Sequence, residues 1–133
     1  MTMTAYLHKR HFSLIEARNL LKTVRNQCGR LVELKSQLNE LNYDIYKHAY
    51  FGGLGPNGAK FHPRELEELI DIVRDFEERG ILIKSIEDGL IDFPSLRASG
   101  EEVYLCWKFN EEDILFWHTI EEGFNGRQPV EVL

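Results

Sequence analysis

Four polar side chains in the carboxyl-terminal third are of the types that form metal and acid–base sites. They are Asp92, Glu111, His118 and Arg127, and each lies in or beside a run of aromatic and β-branched residues. A carboxylate or an imidazole that is partly buried there needs a partner, because burial of an unpaired charge costs free energy and shifts the pKa. In a purely structural interpretation, Asp92 pairs with Arg127 and His118 caps a backbone carbonyl, which fastens the tail to the sheet.

The same residues also suit a functional interpretation, which the sequence leaves open. Asp92 and His118, with Glu111 or Glu121, have the oxygen and nitrogen donors to bind a divalent metal ion, or to act as acid and base. Arg127 would then bind an anion through its planar guanidinium. The catalytic candidates are thus His118, Asp92 and Glu111, and the metal-ligand candidates are Asp92, His118 and Glu121.

Three further residues have donor atoms near these candidates or at the amino-terminal end. Tyr104 is a candidate ligand-binding residue, like Arg127. His8 and His11 are three positions apart and could bind a metal ion if this segment were helical, but a solvated polar arm is the favoured interpretation. No GxSxG, HExxH or CxxC motif is present, so these hydrolase, zinc-protease and redox signatures are lacking.

A very long amphipathic helix over residues 13–50 should position the rest of the chain. Ser13 and Glu16 have the spacing of a capping box, which marks a helix start. Apolar or small residues then recur at steps of three and four, and such a helix would be about 57 Å long. Because that length exceeds the width of so small a domain, we expect part of its apolar stripe, including Leu31 and Leu38, to need a further partner.

A glycine-rich loop and a second helix are predicted next. Residues 51–62 contain four glycines and a proline, which break the first helix. After Pro63, acidic residues and an apolar stripe that ends at Gly80 predict a helix over residues 64–79. The second helix is less than half as long as the first, so antiparallel pairing can cover only the far half of the first helix.

Beyond Gly80 the periodicity changes to short β-branched and aromatic runs separated by turn residues, which predicts an antiparallel β-meander over residues 81–120. A tail follows over residues 121–133. The predicted fold class is α+β, a single domain over residues 1–133 in which a long helical hairpin packs with this small meander.

Short motifs in the carboxyl-terminal third carry a family resemblance. They are GLIDFP at 89–94, LCW at 105–107, WH at 117–118 and GFNGRQP at 123–129. With the opening FSLIEARNLL at 12–21, they resemble the prokaryotic family known as domain of unknown function 2203. Arg18 stands where that family commonly has Asn, and Asn110 where Gly usually precedes Glu111. The resemblance covers nearly the whole chain and implies a shared fold and a prokaryotic source, but no activity.

Composition narrows the class of protein. A chain of 133 residues that is 43% hydrophobic and 29% charged is typical of a folded globular protein. No apolar run approaches the roughly 20 residues that span a bilayer, so no membrane association is expected. Cys28 and Cys106 lack the dense spacing of a disulfide framework or zinc site, which favours a reduced, cytoplasmic protein.

Charge is unevenly distributed along the chain. The net charge is -6, yet residues 1–35 carry seven Lys and Arg against two Asp and Glu. We expect this basic segment to complement the acidic segments that pack on it, and this interpretation is favoured over nucleic-acid binding. That alternative would use basic residues of the first segment, namely Lys9, Arg10, Arg18, Lys22, Arg25 and Arg30.

Three hypotheses for function follow. The first is a homo-oligomeric assembly or interaction protein, most simply a homodimer through the uncovered stripe of the long helix. The second is a small enzyme that depends on a divalent metal or an anion and uses Asp92, His118 and Arg127. The third is nucleic-acid docking through the basic first helix. The sequence identifies no substrate, small-molecule ligand or cofactor, and a divalent metal is a candidate cofactor only.

Overall fold

The computed structural model describes residues 5–52 and 63–133, which form two helices and a five-stranded sheet. The helices are α1 (Leu14–Glu40) and α2 (Arg64–Glu78). The strands are β1 (Leu82–Ser85), β2 (Leu90–Leu96), β3 (Glu102–Lys108), β4 (Phe116–Thr119) and β5 (Gln128–Pro129), antiparallel in the order β1-β2-β3-β4-β5. The predicted α+β fold with a long helix, a shorter helix and a meander is confirmed.

Helix α1 begins as predicted but ends earlier. Ser13 and Glu16 form the capping box, with the Glu16 amide donating to the Ser13 Oγ and the Ser13 amide to the Glu16 Oε1. The helix ends at Glu40, not near residue 50, because Asn42 adopts a left-handed φ of 55°. The Tyr43 amide donates to the Leu38 carbonyl across this turn, which is the Schellman pattern that satisfies the last carbonyls of a helix. Two short 3-10 turns, Ile45–Lys47 and Ala49–Phe51, follow in place of the predicted helix.

The apolar stripe of α1 is buried within a single chain. Its first half, from Ala17 to Cys28, packs against the sheet, as expected from the sequence. Its second half packs against α2 and the turn at Ile45, which leaves Leu31 1% and Leu38 0% exposed. The expectation that Leu31 and Leu38 need a further partner is therefore wrong, because the shorter α1 leaves no stretch of stripe beyond the reach of α2.

Helix α2 has the predicted position and runs antiparallel to α1. Gly80, at a left-handed φ of 78°, ends it, and the Ile81 amide bonds the Phe76 carbonyl across the turn. Most of the predicted glycine-rich loop over 51–62 lies outside the described residues, whose first range ends at Gly52.

The two faces of the sheet differ in composition. The inner face packs on α1 through buried apolar side chains such as Phe93, Leu105, Trp107 and Trp117. Alternation along each strand points the remaining side chains to the outer face. The outer face carries polar and aromatic groups, among them Asp92 on β2, Tyr104 and Cys106 on β3, and Phe116 and His118 on β4.

Part of the basic first segment pairs with acidic residues of the later segments, in the manner predicted. Arg30 donates to Glu68 on α2 with Nε–Oε2 2.5 Å and Nη2–Oε1 2.7 Å. Arg18 donates to the Ile114 carbonyl and lies 3.3 Å from Asp113. These pairs direct the charge of α1 toward α2 and the sheet rather than toward an external polyanion. Within the described parts of the chain, no helix is long and apolar enough to cross a membrane.

Candidate functional site

Three buried side chains with metal-binding atoms meet on the outer face of the sheet. They are Asp92 on β2, Cys106 on β3 and His118 on β4, and their ligand atoms all lie within 4.8 Å of one another. The register of the strands explains why the three residues meet. Asp92 on β2 lies directly opposite Cys106 on β3. His118 on β4 lies opposite Tyr104, which is two residues before Cys106 and therefore on the same face of β3. The exposed fractions of Asp92, Cys106 and His118 are 1%, 0% and 3%.

His118 is hydrogen-bonded through both ring nitrogens. Its Nδ1 lies 2.8 Å from the Thr119 carbonyl oxygen, and its Nε2 lies 3.0 Å from Asp92 Oδ2. A carbonyl oxygen only accepts, so Nδ1 must donate and Nε2 faces the carboxylate. Burial by itself lowers the pKa of His118, but the hydrogen bonds to Asp92 and Thr119 outweigh it and the pKa is raised. These hydrogen bonds therefore favour the protonated form of the buried His118 ring.

The second carboxylate oxygen of Asp92 makes no hydrogen bond to the described residues. Oδ1 is buried and has no hydrogen-bond partner within the described ranges 5–52 and 63–133. An unsatisfied buried carboxylate oxygen costs free energy, and in native proteins such an atom usually has an ordered water, a bound ion or a catalytic role to account for it. It identifies a position beside Asp92 where a cation would be stabilised.

Cys106 is the member of the buried cluster that the sequence interpretation missed. Burial, with the nearby charge of Asp92, raises the pKa of its thiol, so the metal-free protein holds it neutral. The sequence does indicate which face of β3 carries Cys106, because alternation puts it on the same face as Tyr104 and on the other face from the core residue Trp107. Alternation does not show which residue of β2 lies beside Cys106, and the structure shows that it is Asp92.

A cavity of about 370 Å³ opens on this cluster. Asp92, His118 and Tyr104 line it, with Lys84 of β1 on one side and the exposed Glu121 after β4 on the other. The structure thus brings the predicted residues Asp92, His118 and Tyr104 together, and places Glu121 at the rim rather than in the buried cluster. The remaining lining residues are Leu90, Ile120, Glu122, Gly123 and Phe124.

Tyr104 is held between the cluster and the amino-terminal arm. Its ring lies 5.3 Å from that of His118, and its hydroxyl shares a 2.6 Å hydrogen bond with His8 Nε2. The arm is anchored by Glu102, which accepts from the backbone of Leu7 and His8 and lies 2.7 Å from His11 Nε2. The expectation of a solvated arm is wrong for His8 and His11, since both side chains pack on β3.

Arg127 and Glu111 form a separate pair beside the cluster. Arg127 Nη1 donates to both Glu111 oxygens, at 3.0 and 2.9 Å, and the guanidinium lies over the rings of Phe116 and Phe124.

Asp92 therefore pairs with His118 and not with Arg127, contrary to the structural interpretation of the sequence. The tail is fastened instead by this ion pair and by β5 against β4, where Trp117 Nε1 donates to the Pro129 carbonyl. The other half of that interpretation, His118 bonded to a backbone carbonyl, is confirmed.

Comparison with known proteins agrees with this architecture. Residues 10–130 match the family described as Uncharacterized conserved protein (DUF2203). The chain belongs to the DUF2203 family. No curated protein and no solved structure matches it.

The cluster of this DUF2203 protein has the donors that a zinc-class ion prefers. Thiolate, imidazole and carboxylate together suit Zn²⁺ and its neighbours in the first transition row, rather than Mg²⁺ or Ca²⁺. Metal-binding histidines usually donate their other ring N–H to a carbonyl or carboxylate, and the bond from His118 Nδ1 to Thr119 already has that form. The residues therefore fit a divalent transition metal.

Proposed function

We propose that this DUF2203 protein is a small metal-dependent enzyme whose metal ion is bound by Asp92, Cys106 and His118. The observation that carries the proposal is the buried Asp92 carboxylate, which has one oxygen on His118 and the other without a partner among the residues that the structure describes. A divalent ion would satisfy that oxygen and replace the proton on His118 Nε2.

The dimensions support this ligand set. Tetrahedral zinc bonds of 2.0–2.3 Å place ligand atoms roughly 3.5 Å apart. The three ligand atoms lie within 4.8 Å before any metal enters, so the side chains need to move by only about 1 Å. Neighbouring strands β2, β3 and β4 hold them, and strands position ligands more rigidly than loops do.

Three protein ligands are typical of catalytic zinc sites, which keep a further position for water or substrate. Asp92 and His118 line the cavity, so that position would face it. An ion there can polarise a carbonyl or phosphoryl oxygen or activate water. The reaction class we propose is thus Lewis-acid or hydrolytic chemistry on a small molecule.

Cobalt substitution tests the proposal. Metal-free protein titrated with Co²⁺ should bind one ion per chain and show a near-ultraviolet thiolate-to-cobalt charge-transfer band. Cys106→Ser should abolish that band, and Asp92→Asn or His118→Gln should weaken cobalt binding by at least about tenfold.

Cys28→Ser is the matched control, because Cys28 is also a free buried thiol but lies in the core packed on the inner face. It should keep the charge-transfer band and the cobalt affinity of the unmodified protein. A protein that shows no such band, or a band unchanged in Cys106→Ser, would contradict the metal site.

The assembly and nucleic-acid hypotheses have less support. Leu31 and Leu38 are covered by α2, so the apolar stripe gives no reason for a homodimer, which stays a prediction to be tested by size-exclusion chromatography with light scattering. Arg18 and Arg30 are in ion pairs, which weakens the case for a basic docking surface. Gel retardation at low salt would test nucleic-acid binding directly.

A further inference from the structure

The cavity beside the cluster has a positive side that the metal proposal does not use. Lys84 lines it, with Nζ 4.9 Å from the centre of the Tyr104 ring. Among the residues that the structure describes, no carboxylate lies within ion-pair distance of Lys84. Because no acidic group of the described residues pairs with it, the Lys84 ammonium is available to a ligand in the cavity.

The opposite side of the cavity is acidic. Glu121 and Glu122 follow β4, whereas Lys84 belongs to β1, and two strands separate β1 from β4 in the sheet. Glu122 is engaged as the acceptor of a 3.1 Å hydrogen bond from Thr119 Oγ1. Asp92, Tyr104 and His118 form the floor of the cavity, and the charge of the walls changes from positive to negative across it. An anion in the cavity would therefore orient its charged group toward Lys84.

Arg127, the anion-binding candidate of the sequence, is not available for this task. Both oxygens of Glu111 accept from its Nη1, and aromatic rings cover its guanidinium. Lys84, and not Arg127, lines the cavity.

We infer that the substrate is a small organic anion, whose carboxylate or phosphate pairs with Lys84 while another of its oxygens reaches the metal. This inference rests on the proposed function, since the metal supplies the second point of attachment. A cavity of about 370 Å³ is near the lower end of ligand-pocket volumes, which favours a small substrate. Leu90 and Phe124 provide apolar walls for that carbon skeleton.

Calorimetric titration of the metal-loaded protein tests the inference with three probes. Succinate carries two carboxylates, glycerol phosphate carries a phosphate, and succinamide is the uncharged analogue of succinate. At least one anion should bind and perturb the visible bands of bound cobalt, while succinamide should not. Whichever anion binds more tightly identifies the carboxylate or the phosphate as the source of the charge.

Single substitutions test which side chains contribute to the affinity for the anion. Lys84→Met should weaken the preferred anion about tenfold or more, as expected for loss of one charged hydrogen bond, and Lys84→Arg should retain most of the affinity. Glu121→Gln should tighten anion binding, because it removes negative charge from the rim. Lys22→Met is the matched control: it removes an equal charge from an exposed site on α1, across the sheet, and should leave the affinity unchanged.

The outcomes separate this inference from the proposed function. Failure to bind cobalt with a thiolate band would overturn both. Cobalt binding together with no anion affinity, or with equal affinity in the unmodified protein and Lys84→Met, would overturn the substrate class alone.

Discussion

Asp92 and His118 are joined across an intervening strand. Asp92 lies on β2 and His118 on β4, yet Asp92 Oδ2 and His118 Nε2 are 3.0 Å apart, with β3 between their backbones. The bond spans the centre of the sheet's outer face, and Tyr104 lies against the His118 ring. A buried pair in this position affects both stability and chemistry.

Loss of one member of this pair should strongly destabilise the metal-free protein. Asp92→Ala leaves the buried imidazole without its acceptor, and breaking a buried pair costs about 3–5 kcal/mol. Urea unfolding with a chelator present measures the change. Asp71→Ala removes a carboxylate that is 74% exposed and should cost about 0.5 kcal/mol or less, and equal losses in the two variants would contradict the structural role of the pair.

Arg127→Lys should not be a conservative substitution. Lysine keeps the charge and can still donate to Glu111, but it loses the planar guanidinium that lies over two aromatic rings, so we expect a loss of about 1–2 kcal/mol of stability. Thermal or urea unfolding measures it. The exposed Arg74, whose contact with Asp71 is 3.7 Å, provides the control Arg74→Lys, which should be neutral.

Glycine should be preferred to alanine at position 110. Asn110 has a φ of 89°, a left-handed conformation that costs an L-residue with a Cβ about 1–2 kcal/mol. Asn110→Gly should therefore be at least as stable as the unmodified protein, and Asn110→Ala about 1 kcal/mol less stable. Ser36, exposed within α1, should show the opposite order, with alanine more stable than glycine. Alanine equal to glycine at position 110 would contradict the observed turn.

Glu102 should make stability depend on acid pH. Burial alone raises the pKa of Glu102, but hydrogen bonds from His11 and from the Leu7 and His8 amides outweigh it and lower the pKa below its ordinary 4.5. A carboxylate with a lowered folded-state pKa stabilises the protein above its unfolded-state pKa, and this contribution is lost as the pH falls through the folded-state value.

Urea unfolding from pH 7 downward checks this dependence. Glu102→Gln should be less stable than the unmodified protein near neutrality, and the difference should shrink below pH 4.5. Glu67→Gln, which removes an exposed carboxylate from α2, controls for the loss of charge. A difference between the two proteins that stays constant with pH would count against the Glu102 anchor.

Local patterns in the sequence determined much of the fold. The capping box fixed the start of α1, the stripes fixed which helix faces are buried, and alternation separated Trp107 from Tyr104 and Cys106 on opposite faces of β3. These features depend on neighbours within one element, so spacing alone is enough to predict them. The end of α1 was missed because it depends on the left-handed conformation of Asn42, which the apolar stripe does not report.

The site itself was decided by tertiary structure. The sequence supplied Asp92 and His118 but gave Asp92 the wrong partner, and it singled out neither Cys106, which completes the buried cluster, nor Lys84, which lines the cavity. Alternation fixes the face of a strand but not its register, because a shift of two residues keeps every side chain on the same face. Only the assembled sheet sets Asp92 opposite Cys106 and brings His118 within reach of both.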